Sequence, residues 1–226
     1  MDTPEQKYRP IIFCDFDGTI SVKDSLVHLL DLYADPNWRD IEVKVKSGEI
    51  GTQESLTEEF NGFRATWETV KKHLLEDIEI DPHFTKFLSF CREIDMELII
   101  LSGGFTSFIS LILSKYGITG VPFYANEIHF KEDRATLSFP HTSPDCRMCG
   151  HCKTQHLRKA RENGYNFVIY IGDGTTDRCP IKESDLVFAK DSLARYCTRE
   201  NIPFVNWSTF QDIKNYLKEN LIQLSA

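Results

Sequence analysis

The 226-residue sequence has no apolar run of the roughly 18 residues that a membrane-spanning helix needs. It also has no excess of basic residues, since 26 Lys and Arg stand against 34 Asp and Glu, for a formal net charge of -8. A nucleic-acid backbone or an anionic membrane requires a basic face, so we expect neither as the main partner. The first residues lack the basic-then-apolar pattern of a secretory signal, and we expect a cytoplasmic protein.

Low-complexity segments and internal repeats are also absent, which argues against fibrous, disordered and solenoid classes. A hydrophobic fraction of 41% with 27% charged residues is typical of a globular protein. At this length we expect one large domain, or one domain with a modest insertion.

Three short apolar stretches, at 11–14, 98–101 and 167–171, are typical of strands buried on both faces of a parallel sheet. Segments of helical periodicity alternate with them, which predicts a Rossmann-like, doubly wound α/β sheet. Shorter strands are predicted at 186–189 and 203–205, and a hairpin at 126–130 and 135–140. Residues 22–80 show helical patterns alone. We therefore predict a helical cap at 22–80 that acts as a lid on a core formed by 1–21 and 81–226.

Polar residues follow each strong strand at its carboxyl end. Because these ends are neighbours in a parallel sheet, residues distant in sequence should meet in one crevice. Several carboxylates in one crevice repel each other unless a cation joins them, and hard oxygen ligands suit Mg²⁺. The residues concerned are Asp15 and Asp17 after the first strand, Ser102 and Gly103 after the second, and Asp173 and Asp177 after the third.

Asp15 and Asp17 need not act alike. One can attack as an ionised nucleophile while the other donates a proton, if their surroundings separate their pKa values. The alternative is a strand end followed by a turn, since Asp and Gly are common turn residues.

An anionic substrate needs hydrogen-bond donors beside the metal. Ser102 offers a hydroxyl, Gly103 an unobstructed backbone N–H, and the helix that follows a favourable dipole. Lys153 could supply a positive charge to a phosphate, the alternative being a solvated surface lysine.

In this order, Asp15-x-Asp17-x-Thr19, Ser102-Gly103-Gly104, Lys153 and Gly172-Asp173-Gly174-x-x-Asp177 resemble the four motifs of the haloacid-dehalogenase-like phosphatases. The helical segment between the first two motifs resembles the phosphoserine-phosphatase-type branch, which carries a helical cap. The resemblance implies a phosphoric monoester hydrolase that works through an aspartyl-phosphate.

The same resemblance implies the residue roles. Asp15 would be the nucleophile, and Asp17 would protonate the leaving oxygen and then activate water. Mg²⁺ would be held by the Asp15 carboxylate, the Asp17 main-chain carbonyl and Asp173, with Asp177 in support. The phosphoryl oxygens would be held by Ser102, Gly103 and Lys153.

A finer resemblance concerns the substrate, a small phosphorylated metabolite. Phe139-Pro140-His141, the cysteines before Lys153 and Phe188-Ala189-Lys190-Asp191 resemble the methionine-salvage phosphatases that act on 2-hydroxy-3-keto-5-methylthiopentenyl-1-phosphate. Phosphocholine/phosphoethanolamine phosphatases are similar at these cysteines, and phosphoserine phosphatases place a substrate-contacting acid at the position of Asp24. The alternative for Asp24 is a helix N-cap. A phosphotransferase, which differs only in the acceptor that the cap admits, also fits the motifs.

The seven cysteines are an odd number, and three of them form Cys146-x-x-Cys149-x-x-Cys152. This spacing suits a structural Zn²⁺, with His141, His151 or His156 as a fourth ligand; the alternative is three reduced thiols in a turn. A zinc- or thiol-sensing protein on the same scaffold is the non-enzymatic alternative, but the complete set of phosphatase motifs argues against it.

Overall fold

The fold is described from a computed structural model that covers residues 8–146 and 148–224. Its centre is one seven-stranded sheet in the order β4-β3-β2-β1-β5-β6-β7. Neighbouring strands pair in parallel except β3 and β4, which form an antiparallel hairpin. The strands are β1 (Pro10–Cys14), β2 (Glu97–Phe105), β3 (Phe123–Lys131), β4 (Arg134–Ser138), β5 (Phe167–Gly172), β6 (Leu186–Ala189) and β7 (Val205–Asn206).

Helices cover both faces of this sheet. In β1, Ile11 and Phe13 belong to one hydrophobic cluster, whereas Ile12 and Cys14 belong to the other. Both faces are therefore buried, which explains why the strands are continuously apolar. The predicted doubly wound α/β fold is confirmed. No helix of the described residues is both long and apolar enough to cross a membrane. The helices are α1 (Ser25–Tyr33), α2 (Trp38–Ser47), α3 (Thr52–Asn61), α4 (Trp67–Asp77), α5 (Phe84–Glu93), α6 (Thr106–Lys115), α7 (Lys153–Glu162), α8 (Asp191–Glu200) and α9 (Phe210–Leu224).

Helices α1 to α4 form one excursion from the sheet. The outgoing and returning chains pair at an isolated bridge between Ser21 and Ile80, beside a hydrogen bond from Val22 N to Glu79 O of 2.8 Å. The side chains of this excursion belong to the same hydrophobic cluster as those of the sheet. For example, the ring of Phe60 lies edge-on against Phe105 of β2. Helices α1 to α4 are thus held against the carboxyl end of the sheet.

Strand β2 is longer than the sequence predicts. The apolar stretch suggested a strand that stops before Ser102, but β2 runs to Phe105 and α6 begins at the next residue. Its register with β3 shifts between Leu101 and Phe105. Ser102, Gly103 and Gly104 therefore occupy an irregular section within β2, and this bulge turns their backbone away from regular pairing.

Candidate active site

The first and fourth motifs meet through a buried lysine. Lys153, the first residue of α7, donates from Nζ to Asp15 Oδ1 at 2.5 Å and to Asp177 Oδ1 at 2.8 Å. Lys153 and Asp177 are fully buried, and Asp15 is only 4% exposed. A buried ammonium between two carboxylates is held in one position, so Lys153 is not the solvated surface lysine that the sequence left open.

Asp177 is held on all sides by donors. Besides Lys153, its carboxylate accepts hydrogen bonds from the Tyr170 hydroxyl (2.7 Å) and from the backbone N–H groups of Asp173 (3.1 Å) and Gly174 (3.0 Å). These four bonds occupy both oxygens. Asp177 therefore fixes the loop after β5 and orients Lys153, and it is absent from the wall of the neighbouring cavity.

Asp17, the second carboxylate of the first motif, lines the cavity and is held by two serines. Its Oδ1 accepts from the backbone N–H (2.9 Å) and the hydroxyl (2.5 Å) of Ser25, and its Oδ2 accepts from the Ser102 hydroxyl at 3.3 Å. Burial raises the pKa of Asp17 despite these bonds. Ser25 is a contact that sequence reasoning missed, because its side chain reaches Asp17 only through the turn that leads into α1.

The carboxylates of Asp15, Asp173 and Asp177 have oxygens within 4.8 Å of one another. Burial raises the pKa of Asp15 well above its ordinary value and that of Asp173 to about 6, and neighbouring carboxylates add to both shifts. Lys153 offsets only part of this negative charge. Hard oxygen donors that carry excess buried charge are the donor set expected for Mg²⁺, so the residues present fit this ion.

Tight backbone geometry brings Asp173 close to the first motif. Thr19 Oγ1 donates to Asp173 Oδ1 at 2.7 Å. Gly18 has φ of +77°, and a Cβ there would lie 2.7 Å from Asp173 Oδ2. Only glycine fits this approach without strain.

The bulge of β2 is fixed from both sides. Asn126 Nδ2 donates to Gly103 O at 2.8 Å, and His151 Nδ1 lies 2.6 Å from Ser102 O. Because a carbonyl oxygen can only accept, His151 carries its proton on Nδ1, and its Nε2 accepts from His156 at 2.9 Å. Burial lowers the pKa of His151 to about 3, so the ring stays neutral. His151 is a positioning residue that the sequence suggested only as a zinc ligand.

Replacing His151 by Leu should lower kcat/KM about tenfold, because the buried Ser102 carbonyl loses its donor at a cost of roughly 1–3 kcal/mol. His151→Asn retains an N–H near the Nδ1 position and should keep most of the activity. Steady-state kinetics with p-nitrophenyl phosphate measures both variants, with His129→Leu on the exposed face of β3 as the control. Equal losses in the Leu and Asn variants would show that the donor is not what matters.

A cavity of about 190 Å³ lies between the carboxyl end of the sheet and helices α1 to α3. The sheet contributes Asp15, Asp17, Ser102, Gly103 and Asp173. The excursion contributes apolar side chains together with four charged ones, namely Leu26, Val27, Leu30, Trp38, Val45 and Leu56 with Asp24, Glu42, Lys46 and Glu59.

Asp24 serves as the N-cap of α1 and also lines the cavity. Its Oδ1 accepts from the backbone N–H groups of Leu26 and Val27, both at 2.9 Å. Burial and the nearby Asp17 raise its pKa to about 8. The two interpretations that the sequence left open are therefore compatible, since one oxygen caps the helix while the residue faces the cavity.

Glu59 is a buried carboxylate in the cavity wall that sequence reasoning missed. It is 3% exposed and accepts from the Ser55 hydroxyl at 2.7 Å. Burial raises its pKa to about 7. Its position in α3 gave no signal, because a Glu among Thr, Gln and Glu residues is typical of a solvated helix.

The cysteine segment lies beside a thiol that is not in the predicted zinc set. Cys149 makes thiol contacts with Cys146 and with Cys179, a residue that the sequence did not single out. In the described part of the chain, Cys146, Cys149 and Cys152 do not form a group with sulfurs within 4.8 Å of one another. His151 and His156 instead contact each other.

The fold and the carboxylates at its strand ends define a haloacid-dehalogenase-like phosphatase. Among solved structures, the phosphoserine phosphatase described as a phospho-aspartyl intermediate analogue superposes with a TM-score of 0.70 at 18% identity, over 93% of this chain and 99% of that one. A substrate-bound phosphoserine phosphatase complex gives 0.69 at 17% identity, over 94% and 99%. At these identities the likeness shows the fold.

Sequence comparison is more specific. The chain belongs to the family described as Putative Phosphatase, whose model matches residues 10–221. It is 32% identical to the 2-hydroxy-3-keto-5-methylthiopentenyl-1-phosphate phosphatase of Brevibacillus brevis, over 92% of this chain and 95% of that protein. The enzyme of the same name from Bacillus cereus is also 32% identical, over 92% and 95%. The predicted phosphatase membership is confirmed, and Mg²⁺ and an aspartyl intermediate are general features of the superfamily.

Proposed function

We propose that Asp15 is the nucleophile of this phosphatase and forms an aspartyl-phosphate during hydrolysis of a small phosphomonoester. The observation that carries the proposal is the buried contact of Asp15 with Lys153, which Asp177 holds in place. Lys153 lowers the pKa of Asp15 against the rise that burial causes, and it fixes the direction of the carboxylate. Catalysis of phosphoryl transfer depends mainly on such positioning and on charge neutralisation.

Asp17 is the proposed acid and base. Ser25 and Ser102 hold its carboxylate at the cavity wall, and its raised pKa favours a proton that can pass to the leaving oxygen. In the second step the ionised Asp17 accepts a proton from the attacking water. The Ser102 hydroxyl and the Gly103 N–H are the proposed donors to the phosphoryl oxygens, since both residues line the cavity.

Mg²⁺ would be held by the Asp15 carboxylate, the Asp17 carbonyl and Asp173, and it would neutralise the charge of the phosphoryl group. Asp177 is proposed as a supporting residue, since its oxygens already accept four hydrogen bonds. Lys153 supports the phosphoryl site from behind Asp15, because it does not line the cavity.

Residues 22–80 are the proposed cap, and 1–21 with 81–226 the catalytic core. The bridge between Ser21 and Ile80 places the two connections side by side, as a hinge requires. Asp24 is proposed to contact the substrate from the cap, at the start of α1. A cytoplasmic location and a structural Zn²⁺ also remain predictions.

The proposed substrate is an enol-phosphate with an apolar body, such as the one named for the 32% identical relatives. The cap supports it through apolar side chains in the cavity wall, among them Leu26, Trp38 and Leu56. An uncharged methylthio-alkyl chain would bury its surface there at about 25 cal/mol per Å².

A phosphomonoester with a cationic head, such as phosphocholine or phosphoethanolamine, is the second candidate. The specific observation in its favour is Glu59, a buried carboxylate in the same wall as the Trp38 ring. A ligand cation could pair with the carboxylate and lie against the ring. Phosphoserine is disfavoured, because Thr176 stands where that branch usually has asparagine.

A screen of phosphorylated metabolites at fixed Mg²⁺, read as kcat/KM from phosphate release, tests both candidates. The screen includes the methionine-salvage enol-phosphate, phosphocholine and phosphoserine, and it is repeated with Glu59→Gln. The first proposal expects the enol-phosphate to rank highest and the variant to leave its kcat/KM unchanged. Preference for phosphocholine with at least a tenfold loss in the variant would favour the second. Glycerol added as an acceptor separates a phosphotransferase from a hydrolase.

Glu59 should also make the stability of the protein fall as pH rises. Its pKa is about 7 when folded, against an ordinary 4.5, so between these values the folded state binds a proton that the unfolded state lacks. Stability from this residue is present below about pH 4.5 and is lost as pH rises through 7. Glu59→Gln should therefore shift the denaturation midpoint upward at pH 8 relative to pH 5, whereas exposed Glu58→Gln should not. An equal shift at both pH values would contradict this.

A further inference from the structure

Four of the seven cysteines lie outside the two hydrophobic core clusters and line one cavity. Three of them come from the segment that leads into α7 and one from the segment after β5, and all four line a single cavity of about 330 Å³. The other three, Cys14, Cys91 and Cys197, are buried in the two core clusters. The four are Cys146, Cys149, Cys152 and Cys179.

Cys149 is the centre of this thiol cluster. Its thiol lies close enough to the thiols of Cys146 and Cys179 to interact with both. None of these cysteines is in a disulfide, Cys179 is exposed, and Cys146 and Cys149 are partly exposed. The four sulfurs are therefore reduced, and those of Cys146, Cys149 and Cys179 are open to an ion from solvent, whereas Cys152 is buried.

Positive side chains share the cavity with the thiols. Arg158 and Lys182 both line it, so that the negative charge of a thiolate set would be partly offset. Glu183, which also lines it, is engaged by Arg158 at 2.5 Å. Asp145 lines the cavity as well. Four soft sulfur ligands are characteristic of a closed, tetrahedral zinc site.

We propose that Cys146, Cys149, Cys152 and Cys179 bind one structural Zn²⁺ that joins the segment before α7 to the segment after β5. Cys179 replaces the histidine that the sequence suggested as fourth ligand. No three of these sulfurs lie within 4.8 Å of one another in the described residues, so binding of the ion would require the sulfurs to move closer together.

The position of the site gives it a consequence for the enzyme. Cys152 directly precedes Lys153, and Cys179 follows Asp177 by two residues. A zinc cross-link would therefore clamp together the two segments whose side chains meet in the buried lysine-carboxylate contact. Its role is stabilising and is separate from the Mg²⁺ chemistry.

Metal binding by the full chain, purified with a non-thiol reductant and without chelator, tests the proposal. Elemental analysis should give one zinc per chain, and Co²⁺ titration should give the sulfur-to-cobalt charge-transfer absorption that a carboxylate site lacks. Cys179→Ser should weaken Zn²⁺ binding at least tenfold, whereas Cys197→Ala should not change it. Zinc should also slow alkylation of the four cysteines in the unaltered chain, measured peptide by peptide, which covers the case of a variant that does not fold.

Three results would overturn the proposal. They are the absence of zinc after reconstitution of the reduced chain, unchanged binding in Cys179→Ser, and a cobalt spectrum without sulfur charge transfer. A Cys149–Cys179 disulfide that forms in the presence of excess Zn²⁺ would count against it too, because it would show that the thiols are not occupied by the ion. None of these readouts uses phosphatase activity.

Discussion

Asp15→Asn is expected to lower kcat for p-nitrophenyl phosphate by at least about 10,000-fold, as removal of a nucleophile does in other enzymes. Asparagine has the same shape but a weakly nucleophilic amide oxygen. The fold should survive, because Lys153 keeps its bond to Asp177 and the Asp15 backbone N–H still pairs with Ile171 O at 2.9 Å. The measurement is phosphate release at saturating Mg²⁺, with folding checked by circular dichroism.

Asp31→Asn is the matched control, since Asp31 lies on α1 and pairs with exposed Arg39 at 2.7 Å. It should retain full activity. Turnover by Asp15→Asn within about tenfold of the unaltered enzyme would remove Asp15 from the nucleophile position and leave the phosphoryl group to another residue.

Lys153→Met is expected to cause the largest combined loss of stability and activity. It leaves the buried carboxylates of Asp15 and Asp177 side by side without their shared cation, a change that typically costs about 3–5 kcal/mol. The pKa of Asp15 should rise further, because Lys153 lowers it, so the ionised form that acts as the nucleophile would be disfavoured. Urea denaturation at pH 7.5 and kcat at saturating substrate measure the two effects.

Lys159→Met, an exposed position on the same helix, controls for the loss of one positive charge in α7. It should change neither the denaturation midpoint nor kcat. The loss of stability in Lys153→Met should be smaller at low pH, because protonation of Asp15 or Asp177 relieves the repulsion between the two carboxylates. A loss of stability that does not change with pH would mean that the packing of the lysine side chain, and not its charge, explains the effect.

The strand-end residues could be predicted because a parallel sheet fixes where its chain ends meet. Asp15, Ser102 and Asp173 each follow an apolar strand, so their convergence needs only the sheet order. The helical excursion was also visible, because residues 22–80 show no strand pattern. Both features can be derived from the local pattern of apolar residues, because this pattern predicts the strands and helices and their alternation predicts a parallel sheet.

The supporting contacts could not be predicted, because each depends on a tertiary approach that leaves no periodic trace. Tyr170 looked like one more buried strand residue, and yet its hydroxyl holds Asp177. Ser25 and Glu59 looked like helix residues, and His151 like part of a cysteine-rich loop. Cys179 lies 27 positions beyond Cys152, too far for spacing alone to link it to the other thiols.

A phosphoryl group trapped on Asp15 tests the central claim most directly. Asp17→Asn should slow the hydrolysis of the intermediate, so that rapid acid quench with substrate and Mg²⁺ leaves a phosphorylated peptide for mass spectrometry. We expect one phosphoryl group per chain on the peptide that contains Asp15, removed by hydroxylamine as an acyl phosphate is. Phosphate on a histidine or cysteine peptide, or an unlabelled Asp15 peptide while turnover continues, would contradict the proposed chemistry.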